Sequence, residues 1–219
     1  MEKQACIKKI LVIDLAFIGD LILAGPVLRA LQEEYPLARL TMLTMPLTAD
    51  IAAMNPYVDT VLVYDKRGKH KGFFGMLHIA ALLRRQNFDM AVCLNFAVRG
   101  AFVAWLAGIR QRIGYAAQHA QWFLTRSAPA VRDGSRHETE NHLSVLQPLQ
   151  IAASDTSLIL CPPSKAKEML SLKLTAWGLP DKGYLVFCPV GRKKKKNLPQ
   201  AAVAGAVRYF QRKKSVYLI

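Results

Sequence analysis

Acidic residues are scarce in this chain of 219 residues, with 15 Asp and Glu against 30 Lys and Arg, a formal charge of +15. The excess is uneven: residues 1–150 carry 17 basic and 12 acidic groups, and residues 151–219 carry 13 and 3. Such a balance favours an anionic partner, whether phosphate groups, nucleic acid or an acidic membrane surface. Long hydrophobic runs are also missing. No uninterrupted apolar stretch reaches about 18 residues, so no transmembrane helix is expected. Lysines precede the first apolar stretch as in a signal peptide, but Asp14 interrupts it and no small-residue cleavage site follows. A buried first strand accounts for it better. The four cysteines, Cys6, Cys93, Cys161 and Cys188, form no C-x-x-C pair or Cys/His cluster. Three lie in apolar runs, where buried reduced thiols are expected, and that points to the cytoplasm. The G-x-G-x-x-G dinucleotide fingerprint, the phosphate-binding P-loop and a metal-binding D-x-D are all missing.

What is present is 52% hydrophobic and strongly patterned. "KILVIDLA" is a continuous branched apolar run, the mark of a strand buried on both faces. After "FIGD", Leu21, Leu23, Val27, Leu28 and Leu31 form one apolar helix face. Strands follow in "ARLTMLT", "VDTVLVYD", "MAVCLNF" and "RIGYA", separated by helices in "LTADIAAMNP", "GFFGMLHIAALLRRQ" and "VRGAFVAWLAGIR". "SRHETENHLSVLQPLQI" opens with Ser135 three residues before Glu138, a capping-box spacing. Repeated βα units predict an α/β fold with a doubly wound parallel sheet over 1–150. Residues 151–180 read as a linker with its Pro-Pro break and then a helix ended by Gly178 and Pro180. Residues 181–219 read as the beginning of a second, incomplete βαβ domain.

Asp20 sits where the first strand meets its helix. As a structural residue it is a helix N-cap. As a functional one it lies at the carboxyl edge of an open sheet, where ligands bind, and a helix N-terminus favours the negative charge that a proton acceptor carries. "RKKKK" at 192–196 is either a solvated basic run or an anion site, and no interleaved aromatics mark it as a nucleic-acid patch. His78 is expected to be packed, and His137 and His142, five apart, lack the spacing of a helical metal pair. Trp105, Trp122 and Trp177 are core or interface candidates. "FFGMLHIAALLRR" is either an ordinary core helix or one whose apolar face dips into a membrane surface, with Arg84 and Arg85 at the headgroups.

Together, Gly19, Asp20, Pro26, Leu28, Arg29, Ala30, Leu31, Tyr35 and Pro36 resemble the N-terminal signature of the bacterial lipopolysaccharide heptosyltransferases, glycosyltransferase family 9. "RIGY" at 112–115, His137 with Glu138, and "VFCPVGRKKKKNLP" resemble later segments of the same family. The resemblance implies a GT-B-type fold of two Rossmann-like domains, an N-terminal one for the acceptor and a C-terminal one for an ADP-sugar. It implies that Asp20 is the general base of an inverting, metal-independent transfer needing no cofactor beyond the donor, with Gly19 beside it. Lys196 matches the lysine that contacts the donor phosphates, although Leu198 stands where the family usually has Trp. Arg192 and the Gly191 amide fall where a phosphate loop precedes the next helix. The implied partners are the nucleotide-sugar donor, a phosphorylated glycolipid acceptor and the anionic cytoplasmic face of the inner membrane, with no nucleic acid. The family's later nucleotide-gripping loop would fall past Ile219, so weakened donor binding is expected. A non-catalytic binding module of the same fold, or a basic nucleic-acid-binding protein, remains the alternative.

Overall fold

The computed structural model describes residues 7–131, 134, 136–179, 186, 188–190 and 197–213. The chain divides into two compact units, Met1–Cys161 and Pro162–Ile219. The first holds six parallel strands: β1 (Lys9–Ile13), β2 (Arg39–Thr44), β3 (Thr60–Val63), β4 (Met90–Cys93), β5 (Gln111–Tyr115) and β6 (Arg126–Ala128). Their order across the sheet is β3-β2-β1-β4-β5-β6. β1 lies between β2 and β4, with Ile10 opposite both Leu40 and Met90.

Strand alternation builds two cores from one sheet. Ile10 and Val12 point into a layer with Leu28, Leu31, Met42 and Val92. Leu11 and Ile13 point the other way, among Leu43, Ile79, Leu83 and Ala91. The first layer is covered by α1 (Ile18–Leu23), α2 (Gly25–Glu34), α3 (Ala49–Ala53) and α6 (Glu138–Leu143), and the second by α4 (Gly72–Gln86) and α5 (Val98–Leu106). Residues that alternate with period two on the strands meet helices whose apolar faces repeat at three to four. The doubly wound parallel sheet predicted from the sequence is therefore the observed one.

Four details depart from the expectation. The helix after "FIGD" is two helices, because Pro26 has no N–H to continue the ladder and α2 restarts at Gly25. The sixth strand had no apolar run to announce it; Thr125 pins it by donating its N–H to the Arg112 carbonyl at 2.8 Å and accepting the Arg112 N–H on Oγ1, also at 2.8 Å. α6 is capped by His137, not Ser135, which lies outside the described residues. The His137 N–H donates to Glu140 Oε2 at 3.1 Å, and its Nδ1 accepts the Thr139 N–H at 3.3 Å. Finally, the first unit runs past residue 150 to Cys161. The buried Arg29 of α2 holds the segment down, pairing with the Asp155 carboxylate at 2.9 Å and donating to Ser157 Oγ at 2.9 Å, and the Cys161 N–H bonds the Met54 carbonyl at 2.7 Å.

In the second unit α7 (Ser164–Ala176) ends as predicted at Gly178, which has φ +67°. The Gly178 N–H reaches the Thr175 carbonyl and the Leu179 N–H the Leu174 carbonyl, the paired bonds of a Schellman stop. α8 spans Gln200–Lys213. The predicted strands over 183–191 and 215–219 fall largely or wholly outside the described residues. No helix among the described residues is long and apolar enough to cross a membrane.

Candidate active site

The sheet order reverses between β1 and β4, and in open α/β sheets ligands bind beyond the carboxyl ends of the strands at such a point. Asp14 follows β1 there and Asn95 follows β4. Asn95 Nδ2 donates to Asp14 Oδ1 at 2.9 Å, and Asn95 Oδ1 accepts the Leu15 N–H at 2.6 Å. Asp14 Oδ1 also accepts the Ala16 N–H at 2.9 Å. The first turn of the β1–α1 loop is thereby fixed to both central strands.

That loop leads into Asp20. The residue is the third of α1, not its cap: Phe17 occupies the capping position, and Asp20 Oδ2 accepts the Phe17 N–H at 3.3 Å. The structural role expected of Asp20 is thus corrected by a short shift. The carboxylate satisfies a backbone donor at the helix start from inside the first turn, half of a capping box. Asp20 is half-buried and so open to a substrate, and Gly19 beside it is exposed. A Cβ built on Gly19 meets nothing within 4 Å, so the fold itself leaves bare backbone beside the carboxylate.

Asp14 is the residue that reading the sequence for function missed. It is fully buried, and its Oδ2 has no hydrogen-bond partner among the described residues. Burial pushes its carboxyl above the ordinary value and the charge of Asp20 adds to the rise, while the Asn95 and Ala16 bonds and His142 pull against it. The signal was available, since a lone carboxylate inside "ILVIDLA" needs either partners or neutrality. Two cations border the same edge. Lys66 Nζ donates to the Leu15 carbonyl at 3.0 Å, and Arg99, on the first turn of α5, donates to the Tyr64 hydroxyl at 3.1 Å. Burial lowers the Lys66 ammonium below its usual range, reinforced by Arg99 and Arg67 and opposed by Asp14.

The remaining motif residues are structural supports. Tyr115 Oη donates to the Asn141 carbonyl at 2.5 Å and approaches that of His142 at 3.2 Å, joining "RIGY" to the "HE" helix. Arg112 bonds the Phe123 and Ile109 carbonyls. A Cβ on Gly114 would lie 3.2 Å from Cys93 Cβ, which explains the glycine. His137 caps α6, and His78 is exposed, its ring stacked on His70 at 5.6 Å, not packed in the core. Of the described cysteines, Cys161 and Cys188 are exposed, contrary to the expectation for apolar runs; each is followed by a proline and lies outside the helices and strands. Gly191, Arg192 and Lys196 lie outside the described residues. Among the described residues no cluster of three or more His, Cys, Asp or Glu is placed to hold a metal ion. A cavity of about 610 Å³ lies at the other end of the strands, by Ile7, Asp89 and Gln111. Asp89 is already bonded there to the Lys8 and Lys9 N–H groups, and the edge is the wrong one for this fold's ligands.

The chain is 28% identical over 181 residues to lipopolysaccharide heptosyltransferase 3 of Escherichia coli K12, a match covering 80% of this chain and 52% of that relative. It spans about half the length of the curated relatives it matches. A glycosyltransferase family 9 structure from Veillonella parvula superposes with TM-score 0.85 at 24% identity, over 96% of this chain and 62% of that one. The Escherichia coli heptosyltransferase WaaC with ADP superposes with TM-score 0.71 at 16% identity, over 96% and 66%. These likenesses fix the fold class as the GT-B type expected from the sequence. The family model described as glycosyltransferase family 9 (heptosyltransferase) matches residues 76–219, and with two thirds of its length so matched the chain belongs to that family.

Proposed function

We propose that the chain carries the acceptor-side machinery of an inverting, metal-independent glycosyl transfer, in which a heptose or related sugar passes from an ADP-sugar to a lipopolysaccharide core acceptor. The observation that carries this reading is the half-buried Asp20 carboxylate at the switch-point edge, beside the bare backbone of Gly19. Asp20 takes the proton of an acceptor hydroxyl. The freed oxygen pair forms the bond to the anomeric carbon from the face opposite the diphosphate, the bond to the diphosphate oxygen breaks, and ADP departs. Lys66 and Arg99, at the same edge, supply positive charge for an anionic acceptor. Gly191, Arg192 and Lys196 would meet the donor phosphates. A reaction of this kind runs at the cytoplasmic face of the inner membrane.

Support comes from the family match, from the name of the curated relative and from the ADP bound in a relative of the same fold. The test is release of ADP when the purified chain meets ADP-heptose and core glycolipid. Asp20→Asn keeps an oxygen for the Phe17 N–H, so it should fold normally and lower turnover about a hundred-fold or more. No ADP from the wild-type chain, or unchanged release from the variant, overturns the proposal. The former outcome leaves a binding module of this fold.

A further inference from the structure

The loop between β3 and α4 and the first turn of α4 carry three exposed cations, Arg67, Lys69 and Lys71, and exposed aromatic rings that the transfer chemistry does not use. The loop, "DKRGKHK" at 65–71, is held in shape by its one carboxylate. Asp65 Oδ1 accepts the Arg67 and Gly68 N–H groups at 3.3 and 2.9 Å, and Oδ2 accepts the Lys69 N–H at 3.1 Å. Those bonds hold the Asp65 carboxyl below its usual range. The Asp65 N–H in turn donates to His70 Nδ1 at 3.2 Å, and the His70 N–H to the Asp65 carbonyl at 2.9 Å. With its acid bonded to backbone, the ordered loop presents three exposed cationic residues, Arg67, Lys69 and Lys71, while the Lys66 ammonium turns to the Leu15 carbonyl.

Gly72 then turns the chain at φ +77° into α4. Phe73 is 58% exposed and Phe74 83%, their rings edge to face at 6.2 Å, and Leu77 follows one turn later on the exposed side. These are not core residues out of register, because α4 already buries Met76, Ile79, Ala80 and Leu83 on its inner face. Adjacent phenylalanines in water beside a cluster of cations match the chemistry of a bilayer boundary. There the rings enter the acyl region and the cations meet lipid phosphates. The rings form a wedge at a helix tip, not the open platform on which nucleobases stack.

We propose that this loop and the first turn of α4 dock the chain on an anionic bilayer. Lys66 links the docking element to the active edge, since its ammonium bonds the Leu15 carbonyl in the loop that leads to Asp20. A lipid-borne acceptor would thus be met beside the residue that deprotonates it. This inference rests on the proposed function only in taking the acceptor to be membrane-borne.

The test is sedimentation of the full 219-residue chain with phosphatidylcholine vesicles containing or lacking phosphatidylglycerol. Binding is expected only to the anionic vesicles. It should fall about ten-fold in the Phe73→Ser/Phe74→Ser variant and again in Lys69→Glu/Lys71→Glu. Thermal melts confirm that the variants fold. No binding of the wild-type chain overturns the proposal. So does binding that ignores the two phenylalanines, which would be adsorption by overall positive charge. Lipid-free self-association lost with Phe74→Ser also overturns it, in favour of a second copy as the occupant. Release of ADP with a deacylated, water-soluble acceptor is measured alongside. Release without vesicle binding sinks the docking surface alone, while vesicle binding without release on any acceptor sinks the transfer reading alone.

Discussion

Asn95 and Asp14 grip one another across the two central strands of the sheet, amide to carboxylate at 2.9 Å, while the same Asn95 side chain accepts the Leu15 N–H at 2.6 Å. One side chain therefore anchors both the buried carboxyl and the loop that delivers Asp20. The arrangement ties the protonation of Asp14 to the stability of the active edge.

The sign follows from burial. The native Asp14 carboxyl titrates above its ordinary value of 3.8, so between the two values the folded chain holds more protons than the unfolded one. Stability contributed by the protonated form is complete below the unfolded value and is lost as pH rises through the native one. Asp14→Asn keeps an oxygen for Ala16 and Asn95 and cannot ionise. Relative to wild type, its urea midpoint should therefore improve as pH is raised from about 4 towards neutrality. A difference independent of pH would show that the native carboxyl ionises normally.

Tyr115→Phe removes a hydroxyl whose hydrogen bond to the Asn141 carbonyl is buried. The ring stays packed edge to face on Phe96 at 4.6 Å, and Ser144 Oγ still donates to the Asn141 carbonyl at 2.7 Å, so the loss is that of one buried hydrogen bond. Equilibrium denaturation should show a loss of about 0.5–1.5 kcal/mol. Loosening of α6 would appear as faster amide exchange over Glu138–Leu143.

Gly19→Ala separates packing from binding. An added methyl meets no atom of the fold within 4 Å, and alanine favours a helix over glycine by up to about 1 kcal/mol. The melting temperature should hold or rise. If the bare backbone is there for the acceptor, KM for the acceptor should rise; an unchanged KM would remove Gly19 from the site.

Thiol labelling should sort the cysteines by environment. Burial pushes the Cys93 thiol up to about 12, so it should resist alkylation at neutral pH until the chain is unfolded. Cys161 and Cys188 are exposed and should label in the native state, as peptide mapping by mass spectrometry can show.

How much of this was written in the residues can be seen at particular positions. The run "KILVIDLA" and the βα alternation determined a parallel, doubly wound sheet, because only strands covered on both faces are apolar at every position. Pattern also placed α7 and its glycine stop, since that stop depends on a few neighbouring backbone groups. The place of "FIGD" in a first βα loop left Asp20 as a cap or a site residue, and the resemblance of "LILAGPVLRALQEEYP" to a family signature singled it out. Pro26, which split the first helix, and His137, which took the expected cap, act on their own neighbours. Other features depended on distant partners: β6 is pinned where Thr125 meets Arg112 across the sheet edge. Asp14 became notable only when β4 brought Asn95 beside it, a pairing of residues 81 apart in the chain. Local pattern determines which segments are strands and helices, since it needs only neighbours. The partners of a buried carboxyl, and whether a phenylalanine pair faces core or water, are decided when distant segments meet.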